Sequence, residues 1–94
     1  MGLTFRQLTN ANIERCHEVY HPVDEWTPTD WATSCAGELG EACNLIKKAR
    51  RESPNPEEWG IDKREEIGEE LADTVIYIDL LCERLGLDLA ACVR

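Results

Sequence analysis

Apolar residues return at helical spacing along most of the chain, and no stretch shows the alternation of period two that a half-buried strand requires. The clearest start is Thr27-Pro28-Thr29-Asp30: Thr27 as cap, proline at the first helical position where its missing N–H costs nothing, and Asp30 placed to close a capping box. A helix is predicted from there to about Arg51, with Lys47, Lys48, Arg50 and Arg51 suited to the negative end of its dipole. Ser53-Pro54-Asn55-Pro56 breaks it, and Glu57 to Asp62 reads as loop or a single turn. A further helix is predicted from near Lys63 to Leu85, where Leu85-Gly86-Leu87 matches a left-handed glycine stop with a hydrophobic residue folding back. Asp88 then opens a last short helix. Upstream, Ile13, Cys16, Val19 and Tyr20 mark a short first helix around Ile13 to Tyr20, capped by Thr9 or Asn10 and ended by His21-Pro22. The fold class that follows is all-α: one domain over residues 1–94, a bundle of three main helices plus a short C-terminal helix.

Two of these helices carry carboxylates inside their apolar stripe. At a hundred degrees per residue, Glu38 falls beside Trp31, Ala42, Leu45 and Ala49, with Glu41 about sixty degrees further round at the border. Glu70 repeats the arrangement among Thr74, Tyr77 and Leu81, with Asp73 offset to the same side and Ile67, Leu71, Ile78 and Leu85 filling the stripe. The spacing itself is uninformative: acid pairs three apart occur four times, about as often as chance gives for 19 acids in 94 residues. Angular placement discriminates, because Glu65 and Glu69 point away from the stripe, whereas Glu38 and Glu70 do not; Glu66 is ambiguous. Facing helices of this kind would converge four carboxylates. Like charges at roughly 4 Å repel by about 4 kcal/mol per pair at an effective dielectric near 20, so such a cluster takes up protons or holds cations.

Composition narrows the setting. A chain of 94 residues leaves much of its surface unburied unless it finds a partner, and the segment Leu71 to Cys82 is apolar nearly all round its helix. The bundle is therefore expected to be completed by oligomerisation, as a homodimer or homotetramer. A net charge of −9 with no basic stripe argues against a nucleic-acid partner. No apolar run approaches the ~20 residues of a membrane span, and the N-terminus lacks a signal-peptide order, so no membrane partner and a cytoplasmic location are expected. Cys16, Cys35, Cys43, Cys82 and Cys92 are odd in number with no pair at two-residue separation, and read as reduced, mostly buried thiols; His17 and His21 have no matching zinc spacing.

The ordinary reading of the acids is a solvated, salt-bridging helix face. The functional reading is a polynuclear magnesium site, in which oxygen-only ligands favour Mg²⁺ or Mn²⁺ over zinc. A di-iron carboxylate bundle would want Glu-x-x-His on two helices, and only Glu14 and His17 stand at that spacing.

Glu38-Leu-Gly-Glu41-Ala-Cys-Asn44-Leu-Ile-Lys47-Lys48, followed by Glu69-Glu70-Leu-Ala-Asp73-Thr-Val-Ile-Tyr77, resembles the paired signature of the MazG-like all-α nucleoside triphosphate pyrophosphohydrolases. The resemblance covers roughly Trp26 to Leu89. It implies Mg²⁺-dependent hydrolysis between the α and β phosphates of a nucleoside triphosphate, giving monophosphate and pyrophosphate in a house-cleaning role. By position it makes Glu38, Glu41, Glu70 and Asp73 the metal ligands, with Glu38 or Glu41 accepting the proton of the attacking water. Tyr77 would belong to the substrate pocket. Lys48, Arg84 and Lys63 project near the acid side of their helices and are candidate phosphate contacts, Lys48 and Arg84 foremost, whereas Lys47 points away. Trp31, Trp26, Trp59 and His21 are candidates for a nucleobase surface, with core packing the plain reading of Trp31 and a lid that of Trp59. Relatives of that family usually continue into a further basic helix, so phosphate contacts from a neighbouring subunit, or weak activity, are expected. The rival reading is an acidic helical interaction or regulatory module on the same scaffold, which releases no pyrophosphate.

Overall fold

A computed structural model describes residues 2–93. Helix α1 spans Phe5–Arg15, α2 Pro28–Glu52, α3 Ile61–Arg84 and α4 Leu89–Val93, and no strand occurs among the described residues. At 1.5 Å per residue, α2 and α3 are each about 36 Å long. The longest dimension of the molecule is only 42 Å, so the two must fold back on each other. Side-chain pairing gives the register: seven residues forward in α2 from Trp31 to Glu38 matches seven back in α3 from Tyr77 to Glu70, as an antiparallel hairpin demands.

Local chemistry sets the boundaries. Thr27 and Asp30 form a reciprocal capping box, the Thr27 hydroxyl accepting from the Asp30 N–H at 3.1 Å and the Asp30 carboxylate accepting from the Thr27 N–H at 3.0 Å. Between α2 and α3 a 3₁₀ turn at Pro56–Glu58 reverses the chain, and the Trp59 indole N–H donates to the Ser53 carbonyl at 2.9 Å. Gly86, at φ +71°, ends α3: its N–H reaches the Glu83 carbonyl at 3.0 Å, and Leu87 N–H reaches that of Cys82 at 2.8 Å. Those two bonds are the Schellman pattern.

The first helix departs from expectation. It begins at Phe5, eight residues before Ile13, because Thr4 and Gln7 form a second capping box. Neither Thr9 nor Asn10 is the cap; both lie within the helix. From Cys16 to Tyr20 the chain continues as a turn of π-helix, in which His21 N–H reaches back five residues to the Cys16 carbonyl at 2.8 Å. This widening turns Val19 and Tyr20 outward, at 64% and 73% exposure, and leaves Cys16 buried. The face expected to be apolar is thus split.

The core sits where α1, the π turn and the loop before α2 meet the hairpin: Cys16, Val23, Trp31 and Leu80 are buried, with Ile13, Trp26, Ile76, Tyr77 and Leu81 packed against them. Trp31 is anchored by its indole N–H, which donates to the Val23 carbonyl at 2.9 Å. Ala42, Ala49, Ile67 and Thr74 line the buried seam of the hairpin. Leu71, Ile78 and Leu85, expected in the stripe of α3, are exposed at 42%, 38% and 51%. All five cysteines are free thiols, but Cys43 and Cys92 are exposed rather than buried. No described helix is long and apolar enough to cross a membrane.

Candidate functional site

Glu38, on the second turn after Trp31 in α2, and Glu70, on the facing part of α3, are both half-buried, while Glu41 and Asp73 are exposed at the rim. Glu65, Glu66 and Glu69 are exposed, as the angular argument expects for the first and last of them, and Glu66 joins them. One carboxylate oxygen each from Glu38, Glu41 and Glu70 lie within 4.8 Å of one another. That is the span of oxygens around one six-coordinate divalent cation, whose oxygen ligands stand 2.0–2.6 Å from the metal, up to roughly 5 Å apart. Asp73 lies outside that trio but close enough to raise the pKa of both Glu38 and Glu70.

The electrostatics fit a cation. Oε2 of Glu70 is shut off from solvent and has no hydrogen-bond donor. A carboxylate oxygen in that position needs a proton or a metal ion. Accordingly the Glu70 carboxyl is pushed up to about 7, first by sharing a hydrogen bond with Glu41, then by burial and by the charges of Glu41, Glu38 and Asp73. Glu38 is raised too, chiefly by burial, with Glu41 and Asp73 adding to it and Glu70 opposing. The donor set is all oxygen, which suits Mg²⁺ or Mn²⁺.

Beside this trio opens a cavity of about 420 Å³. Glu38 and Asp73 contribute to its wall from α2 and α3, and aromatic rings supply much of the remainder. Trp26 and Trp31 stand 4.7 Å apart, His21 is 4.7 Å from Trp26, and Tyr77 is 6.0 Å from Trp31, all tilted rather than stacked. Trp31 is 1% exposed and is both core and wall. Burial is the main reason the Tyr77 hydroxyl is shifted upward, and the Glu38 charge adds to it.

The structure therefore gathers Glu38, Glu41, Glu70, Asp73 and Tyr77 into one region together with three of the four nucleobase-surface candidates, Trp31, Trp26 and His21. It does not bring Lys48 or Arg84 there. Lys48 is exposed and lines neither of the two cavities described. Arg84 donates its Nε–H to the Trp26 carbonyl at 2.8 Å and faces a second cavity of about 260 Å³, with Ile13, His17, Val23, Asp24 and Glu83. Lys63 is half-buried but lines neither cavity, and Trp59 is fixed at the far end of the hairpin. Sequence reasoning missed the contribution of α1: Asn12 and Arg15 line the first cavity, and Asn12 is tied to a buried Asp79. One signal was available, since Asp79 is the single charged residue between Thr74 and Cys82.

The chain is similar to dCTP pyrophosphatase 1. Against the Bos taurus protein it is 30% identical over 89 residues, covering 90% of this chain and 53% of that protein. Against the Homo sapiens protein the identity is 29% over 89 residues, 90% of this chain and 52% of the relative. The chain thus spans about half the length of the curated relatives it matches. No family model matches it, and no solved structure does.

Proposed function

We propose that the chain is a divalent-metal-dependent nucleoside triphosphate pyrophosphohydrolase that cleaves the α–β phosphoanhydride to monophosphate and pyrophosphate. The observation that carries this is the convergence of one carboxylate oxygen each from Glu38, Glu41 and Glu70 at the edge of an aromatic-walled cavity, with Oε2 of Glu70 buried there without a partner. Similarity to proteins named as dCTP pyrophosphatases, over nearly the whole of this chain, supports the same reaction class. Glu38, Glu41 and Glu70 would hold the cation, with Asp73 within reach to share it. When bound, the metal supplies charge neutralisation for phosphate oxygens and a more acidic water.

The protein's own groups divide the remaining work. Glu38 belongs both to the carboxylate trio and to the cavity wall, whereas Glu41 does not line the cavity. Glu38 is therefore the carboxylate placed to accept a proton from a water attacking inside the cavity. The rings of His21, Trp26 and Tyr77, backed by the buried Trp31, give a nucleobase an apolar surface, and the Tyr77 hydroxyl is the polar handle on it.

The test is pyrophosphate release from a panel of canonical and modified nucleoside triphosphates with Mg²⁺, headed by dCTP, for wild type, Glu38→Gln and Asp73→Asn. Wild type should turn over at least one, with Glu38→Gln reduced at least about a hundredfold, the scale of losing a general base. Equal behaviour of all three proteins overturns the assignment. Metal binding has its own readout. An ion that binds only the folded chain stabilises it by about 2.7 kcal/mol at a hundred times its Kd, so Tm should climb with Mg²⁺ in wild type and not in Glu70→Gln.

A further inference from the structure

The cavity wall contains one Lys or Arg among the described residues, Arg15, which is exposed but tied to a buried pair of polar side chains. Its Nη2 donates to Oδ1 of Asn12 at 2.9 Å. Asn12 is 1% exposed, and its Nδ2 donates at 2.9 Å to Asp79, which is 2% exposed on α3 and also accepts from the Thr9 hydroxyl at 3.0 Å. Both carboxylate oxygens of Asp79 accept, Oδ2 from the Asn12 amide and Oδ1 from the Thr9 hydroxyl, so Asp79 sets which way the Asn12 amide faces. With Nδ2 committed to Asp79, Oδ1 must face Arg15. A buried carboxylate is costly, and bonds from two neutral donors offset that cost only in part. Among the described residues Asp79 pairs with Thr9 and Asn12 rather than with the carboxylate trio or a cation, so its place in the apolar run of α3 is explained by what it orients.

Charge supplies the reason for such a cation. The carboxylates of Glu38, Glu41 and Glu70 would largely neutralise a divalent cation held among them, and the chain carries a net charge of −9. A triphosphate adds several negative charges at neutral pH. Arg15 shares the cavity wall with Glu38 and Asp73, whereas Lys48 and Arg84 do not. One Nη is fixed by Asn12, which removes part of the rotamer freedom a free arginine would lose on binding and leaves the rest of its planar fork of donors for phosphate oxygens.

Building on the hydrolase reading, we propose that Arg15 grips the phosphate chain of the substrate, and the pyrophosphate formed from it, with Asn12 and Asp79 as its positioning residues. The experiment is calorimetric binding of inorganic tripolyphosphate with Mg²⁺, and of a nucleoside triphosphate made uncleavable by an α,β-methylene bridge, to the full chain. Loss of a charge-assisted hydrogen bond predicts that Arg15→Gln weakens both ligands about tenfold or more, while Arg15→Lys restores part of the loss. Asp79→Asn frees the Asn12 amide to flip, and should weaken binding in wild type but not further in the Arg15→Gln background. A merely structural Asp79 would weaken both backgrounds alike, and that result overturns the positioning role. Tripolyphosphate affinity unchanged in Arg15→Gln, whether or not the nucleotide is weakened, overturns the phosphate grip and leaves the hydrolase reading standing. Binding lost in Arg15→Gln by a wild type that hydrolyses nothing supports the grip and sinks the hydrolase. No tripolyphosphate binding by wild type overturns the grip outright.

Discussion

At Glu70 the demands of packing and of chemistry conflict within one side chain. Its helix position puts Oε2 against the hairpin seam, where no donor meets it, and its other neighbours are acids. The consequence for stability has a definite sign. The folded-state pKa, about 7, stands above the ordinary carboxylate value of 4.5, so the folded chain keeps a proton that the unfolded chain has already released. Metal-free protein should therefore lose stability as pH rises from about 4.5 to about 7, with Glu38, also raised, acting in the same direction. Glu70→Gln should flatten that decline and raise the metal-free Tm at neutral pH, as thermal melts in a chelating buffer will show; a steeper decline would mean that the carboxylate is not the strained group. These acids were legible in the sequence because a carboxylate inside an apolar stripe needs a partner. Asn12, Arg15 and Asp79 were not, because their meeting depends on where α1 docks, and single-helix periodicity carries no information about that.

Elements with explicit stop and start chemistry were the legible ones. The capping box at Thr27 and the glycine stop at Gly86 are written in consecutive residues, and both form as expected, with α2 and α3 ending within two residues of the predicted bounds. Removing the Thr27 hydroxyl with Thr27→Ala should cost about 1 kcal/mol in urea unfolding. Gly86→Ala should cost about 1–2 kcal/mol, because an alanine at φ +71° meets the left-handed penalty although nothing crowds its Cβ. Helix α1 was misjudged at its start, whereas the helical run does stop at Tyr20 before His21, with its last turn π rather than α. Its Thr4-x-x-Gln7 start lies in a stretch with little apolar periodicity, and the π turn breaks the 3.6-residue repeat at Cys16. A period count cannot see a register change that tertiary packing imposes. That same turn brings Tyr20 and His21 to the cavity wall.

For the molecule as a whole, the buried set is small and apolar surface remains outside it. Leu71, Val75 and Ile78 recur at i, i+4 and i+7 along one face of α3, each about two-fifths exposed, and Leu39 and Ile46 lie exposed on α2. The apolar character of this face was visible in the sequence, but the split between residues facing the hairpin and residues facing outward was not, since both read as stripe. Self-association through this face is the expected use of it. Sedimentation should then show wild type as a dimer or larger and a Val75→Glu/Ile78→Glu variant as a monomer; a monomeric wild type would leave the face to some other purpose. The three tryptophans, finally, are distributed in a way that makes the chain its own reporter. Trp26 and Trp31 stand in the cavity wall, while Trp59 is pinned to the Ser53 carbonyl at the opposite end of α2, on the order of 30 Å away. A nucleotide lying against Trp26 should quench it directly, and the buried Trp31 behind it more weakly, and leave the third glowing as an internal standard, so occupancy can be followed by light without attaching a dye.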